Sequence, residues 1–108
     1  MSDFTDYMEQ MFFSEATNIR ERIYESKRWI NDYLYKRKSY PEWVTRDGVS
    51  IKVEDITDQH LNNLINFLPK RNIWYQVFIC EKKYRELNKK MPELEKANAK
   101  CEQIIDLL

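Results

Sequence analysis

With 108 residues, 43% hydrophobic and 33% charged, the chain reads as one small domain spanning residues 1–108, with room for only a modest core. Lys+Arg and Asp+Glu are both 18, so no overall field steers the protein onto nucleic acid or an anionic membrane. One glycine and three prolines leave few turns and forecast long helices, and no apolar run has the length of a signal peptide or a bilayer span.

From Asp3 to about Tyr35 there is no Gly or Pro, and Phe12, Ala16, Ile19, Ile23, Ile30 and Tyr33 keep helical spacing, with one interruption at Ser26. This predicts a long N-terminal helix that packs on other helices. The alternative is that Met8, Met11, Phe12 and Phe13 form an adaptable patch for a partner protein. Lys36, Arg37 and Lys38 suit a helix C-terminus, where cations meet the negative end of the dipole, and a phosphate contact is the second reading of that run. Pro41 ends the helical signal.

Next comes a β-hairpin: Trp43-Val44-Thr45-Arg46, an Asp47-Gly48 turn, then Val49-Ser50-Ile51-Lys52-Val53. A two-residue type I′ loop pairs Arg46 with Val49 and Val44 with Ile51. Val44, Val49, Ile51 and Val53 then share the core face, and Trp43 joins Thr45, Ser50 and Lys52 on the other. Trp43 would there need cover from a helix, a second subunit or a ligand.

Thr57 is the expected N-cap of a short helix, with Asp58 in its first turn, Leu61, Leu64, Ile65 and Leu68 as its buried stripe, and Pro69 as its stop. From about Asn72 to Leu108 the apolar residues run Ile73, Val77, Cys80, Tyr84, Leu87, Met91, Leu94, Asn98, Cys101, Ile105 and Leu108, a coiled-coil seam of about five heptads. Pro92 is expected to kink or divide this helix. The polar Asn98 on the seam favours a homodimer or higher homo-oligomer, although the seam can equally pair within the chain. Cys80 and Cys101 read as reduced thiols of a cytoplasmic protein, and on one continuous helix they would lie roughly 30 Å apart. The fold class is therefore mainly α with one β-hairpin.

One histidine and two distant cysteines give no metal-ligand spacing, no nucleophile lies beside a base, and a single glycine excludes a Gly-rich phosphate loop. The expectation is a protein without catalysis or cofactor. Recognition chemistry remains. Trp43, Arg46, Lys52, His60, Asn63, Arg71, Asn72, Trp74 and Tyr75 place rings, cations and amides in one neighbourhood, as stacking a base and pairing a phosphate require. The same residue types also build protein-binding hot spots, and Trp43 and Trp74 could simply close the gap between hairpin and helices.

Trp43, Thr45, Asp47, Gly48, Ile51, Val53, Asp55, Ile56, Thr57, His60, Leu61, Asn63, Ile65 and Leu68 follow a pattern seen in small phage-encoded proteins, with Val53 and Ile56 in place of Ile and Met. The segment resembles that group over about a quarter of the chain. Some proteins of this plan resemble the Thoeris anti-defence sponges, which bind cyclic ADP-ribose signals or cyclic oligonucleotides and starve a bacterial immune effector. The resemblance implies a non-enzymatic, oligomeric phage protein that sequesters a cyclic nucleotide or cyclic ADP-ribose-type signal in the host cytoplasm. The long N-terminal helix and the segment past Pro92 lie outside the pattern. They suit the alternatives: an anti-CRISPR-like inhibitor that binds a host defence protein directly, or a coiled-coil adaptor.

Overall fold

The computed structural model describes residues 2–107; the side chains of residues 2–5, Tyr7, Met8 and Phe12 lie outside the description, as does the seam position Leu108. Chain order is α1 (Ser2–Arg37), β1 (Trp43–Val44), β2 (Ser50–Ile51), a 3-10 turn (Val53–Asp55), α2 (Asp58–Phe67) and α3 (Ile73–Leu107). No helix among the described residues is long and apolar enough to cross a membrane. The chain gathers into two compact units, Met1–Trp29 with Asn88–Leu108, and Ile30–Leu87.

The first unit pairs the start of α1 with the end of α3. Ala16, Ile19 and Cys101 are buried together, with Ile23, Ala97 and Ile105 packed against them. Arg20–Glu102 at 3.1 Å and Lys27–Glu95 at 3.3 Å form ion pairs one heptad apart on both helices, which fixes their antiparallel direction. Both pairs are half exposed, so each adds under about 1 kcal/mol and serves register more than stability. Cys101 and Ile105 of the heptad seam thus pack on α1 of the same chain, whereas Ile73 at its start is 77% exposed. Asn98 lies on the seam with Oδ1 buried and unpartnered among the described residues, and Nδ2 3.5 Å from Glu102 Oε1. α3 is continuous across Pro92, so the segment expected to begin there is not a separate helix.

In the second unit α1 stops where Ser39 turns back onto the Lys36 carbonyl, with its amide at 3.1 Å and its hydroxyl at 2.8 Å. Thr57 caps α2 as expected, its Oγ1 accepting from the His60 amide at 3.2 Å. Ile56, Leu61 and Phe78 are fully buried, and Leu64, Ile65 and Leu68 of the α2 stripe pack against them. Before Pro69, Leu68 takes the extended backbone that a following proline imposes (φ −77°, ψ 142°) and ends the helix. Asn72 opens α3, its Oδ1 accepting from the Trp74 amide at 2.8 Å.

The hairpin departs from the expected register by one residue. Trp43 pairs with Ile51 and Val44 with Ser50. A type I′ turn needs positive φ at both central residues, yet only Gly48 has it (φ +82°). The chain instead makes a turn over Thr45–Gly48, with the Gly48 amide donating to the Thr45 carbonyl at 2.9 Å and the Thr45 amide to the Val49 carbonyl at 2.9 Å. That is a three-residue loop with glycine at the bulge. A slip of one residue exchanges the two faces of the slipped strand. Ile51 keeps the core side expected of it, Trp43 now joins it on the Phe78 cluster, and Val44 and Val49 are each 56% exposed. Val53, expected to extend the second strand, lies instead in the 3-10 turn and is buried. The inward indole meets Trp74 and Phe78 edge to face at 5.2 and 5.3 Å, ring contacts that a valine cannot make.

This register predicts the mutational response. Val44→Thr and Val49→Thr should each change stability by no more than about 0.5 kcal/mol, while Trp43→Ala should cost about 3–5 kcal/mol, both read from urea unfolding. A large loss at Val44 with tolerance at Trp43 would restore the two-residue turn.

Candidate functional site

The most constrained chemistry lies around Glu81, a carboxylate only 1% exposed on α3. Tyr33 Oη donates to its Oε1 at 2.9 Å, and Arg37 Nη1 to the same oxygen at 2.8 Å. Arg85 Nε, one helical turn along α3, donates to Oε2 at 3.0 Å. Arg85 then reaches Asp58 Oδ1 at 2.8 Å and the carbonyls of Ile56 at 2.6 Å and Val53 at 3.3 Å. Arg37 reaches Glu54 at 3.4 Å and lies over the ring of Tyr84, 5.0 Å from its centroid. The network joins α1, the 3-10 turn, the α2 N-terminus and α3. Burial first, then the negative charge of Glu81 and the bond to it, pushes the Tyr33 phenol far above its ordinary range. Burial alone would lower Arg37, but its bond and attraction to Glu81 outweigh that and hold the guanidinium charged. A carboxylate with both oxygens occupied and almost no exposed surface cannot meet a substrate, so this centre holds the fold.

The sequence-predicted residues divide into groups around it. Trp43 and Trp74 do come together, 5.2 Å apart and edge to face, but both also lie against Phe78, at 5.3 and 5.5 Å. Their rings are half-buried and belong to the core. Asn72 spends its side chain on capping α3, and His60 and Tyr75 are half-buried. Arg46 is exposed at the hairpin tip, Asn63 is exposed on α2, and Arg71 is exposed between α2 and α3.

Lys52 lines an open cleft of about 260 Å³ with Arg37, Lys38, Tyr40, Val53 and Glu54. No carboxylate among the described residues lies within ion-pair distance of Lys38 or Lys52, whereas Arg37 is held by Glu54 and Glu81. Burial first, then the proximity of Cys80 and Glu81, pushes the Tyr40 phenol up, so it stays a neutral hydroxyl. Sequence reasoning missed Arg37, Lys38 and Tyr40 as a group. Their signal was the basic run at residues 36–38, read mainly as a helix end. The Glu81–Arg85 pair, four residues apart on one helix, was the available sign of the buried centre. Among the described residues no group of His, Cys, Asp and Glu is placed to hold a metal ion.

No protein-family model, curated protein or solved structure matches the chain.

The buried centre carries its own tests. Glu81→Gln, which leaves two guanidiniums without their shared counter-charge, should cost about 3–5 kcal/mol, against no more than about 1 kcal/mol for Glu102→Gln on the surface. Tyr33 has a folded pKa above its unfolded value near 10, so its stabilisation is complete below pH ~10 and is lost as pH rises beyond it. Thermal melts of Tyr33→Phe should fall less steeply above pH ~10 than wild type, with a residual slope from Tyr40. An unchanged alkaline slope would remove Tyr33 from that role.

Proposed function

We propose that this protein is a non-catalytic binder of a small phosphorylated ligand, in the nucleotide class its resemblance implies, and that it acts as a phage anti-defence factor by sequestering that ligand. The supporting observation is the cleft where Lys38 and Lys52, neither engaged by a carboxylate among the described residues, stand with Arg37 and Tyr40. Lysine ammonium groups pair with phosphate as point charges, and a neutral phenol donates one further hydrogen bond. Exposed cations are screened, so the binding is salt-dependent. Trp43 and Trp74 are engaged with Phe78, and Tyr40, edge-on to Tyr33 at 6.3 Å, is the ring that lines the cleft.

Calorimetry at low salt with cyclic dinucleotides, cyclic ADP-ribose isomers and inorganic pyrophosphate tests this. At least one ligand should bind, and the double variant Lys38→Glu, Lys52→Glu should weaken it by about tenfold or more, roughly 1.4 kcal/mol, with an unchanged melting temperature. Absence of heat from every ligand at high micromolar concentration would overturn the reading.

A further inference from the structure

The geometry points to a second, separate surface: the corner between α2 and α3 is a docking site for an acidic peptide segment of another protein, one with apolar anchor side chains. α2 ends at Phe67 and α3 begins at Ile73, and the corner between them is closed by the Asn72 amide donating to the Pro69 carbonyl at 2.9 Å. Leu68 and Trp74, the neighbours of those two residues, pack into the core. Phe67 and Ile73 do not, and at 81% and 77% they are among the most exposed large apolar side chains described. Nothing in the fold of this unit requires them to be apolar.

Charge identifies the occupant. Between Asp58 and Glu81 the sequence contains no carboxylate at all, and Lys70 and Arg71 stand at the apex of the corner. Of the acids that flank this stretch, Glu81 is buried, and Asp58 is paired at the surface with Arg85, its side chain 64% exposed. Lys70 and Arg71 have no ion pair among the described residues. Gln59, Asn62, Asn63, Asn66 and Gln76 of the same stretch are neutral amides, and Gln76 Nε2 donates to the Lys70 carbonyl at 3.3 Å. A partner that buries Phe67 and Ile73 must therefore bring apolar groups, and carboxylates gain from lying beside them. Nucleic acid fits less well. Two cations yield a weak salt-dependent contact, and an isoleucine gains little from a phosphate backbone. An amphipathic segment with an apolar row flanked by Glu or Asp satisfies both halves of the surface.

Fluorescence anisotropy on the full chain tests the assignment, using a labelled model helix with Leu along one face and Glu elsewhere. Its Lys-for-Glu counterpart and a labelled oligothymidylate serve as comparison probes. The Glu helix should bind more tightly than either. Phe67→Ser with Ile73→Ser should weaken it at least tenfold, and Lys70→Glu with Arg71→Glu should reverse the preference toward the Lys helix. All four positions are exposed, and melting temperatures confirm that the variants fold. Lys38→Glu with Lys52→Glu should leave peptide binding unchanged, which separates this surface from the cleft. Equal binding of both helices, oligothymidylate binding that Phe67→Ser does not weaken, or no binding of the Glu helix at high micromolar concentration would each overturn the assignment.

Discussion

The second unit depends on one buried negative charge. Glu81 sits at 1% exposure, where an unpaired carboxylate would cost several kcal/mol, so the chain must bring donors to it from elsewhere. It brings them from α1 through Tyr33 and Arg37, and from its own helix through Arg85. Each arginine then carries the constraint outward. Arg85 holds two carbonyls of the irregular stretch before α2 and the first-turn carboxylate of Asp58, and Arg37 holds Glu54. A hydrophobic side chain of similar volume would cost less to bury but could not place these elements. The 3-10 turn and the α2 N-terminus have few buried apolar residues of their own, chiefly Val53 and Ile56, and their position follows from satisfying guanidinium donors in a fixed fork.

What was legible in the sequence follows from which interactions are local. Absence of Gly and Pro marks α1, heptad spacing marks α3 in spite of Pro92, Thr57 caps α2 through its own neighbours, and the α2 stripe needs only helical spacing. The hairpin register was not legible. Asp47-Gly48 supports either a two-residue or a three-residue loop, so the turn residues alone do not decide the register. The partner that decides it, Phe78, lies on another element more than twenty-five residues away. The seam of α3 was likewise visible as a pattern but silent about its partner. Spacing alone treats α1 and a second copy of α3 alike; in this chain Ala16 and Ile19 pack on Cys101, and Arg20 and Lys27 match Glu102 and Glu95 one heptad apart. Glu81 itself escaped notice because a charged residue beside a heptad position reads as a solvated flank. Its burial becomes evident only when Tyr33 and Arg37 arrive from α1.

The same economy explains the surface. Lys+Arg and Asp+Glu balance at 18 each, yet neutrality of the whole chain says nothing about where the charges face. Glu54, Asp58 and Glu81 are turned toward Arg37 and Arg85, so these acids and bases neutralise one another around the buried centre. The cations left over, Lys38 and Lys52 at the cleft and Lys70 and Arg71 at the α2–α3 corner, sit where no carboxylate among the described residues engages them. Of the paired acids only Glu81 is buried; Glu54 and Asp58 are paired at the surface, with side chains 49% and 64% exposed. The hairpin slip works in the same direction for the rings. By drawing Trp43 inward against Trp74 and Phe78, it removes the stacking platform that the sequence offered to a ligand and turns Val44 and Val49 outward instead. The side chains left at the surface are therefore those that the Glu81 centre and the aromatic core do not take up.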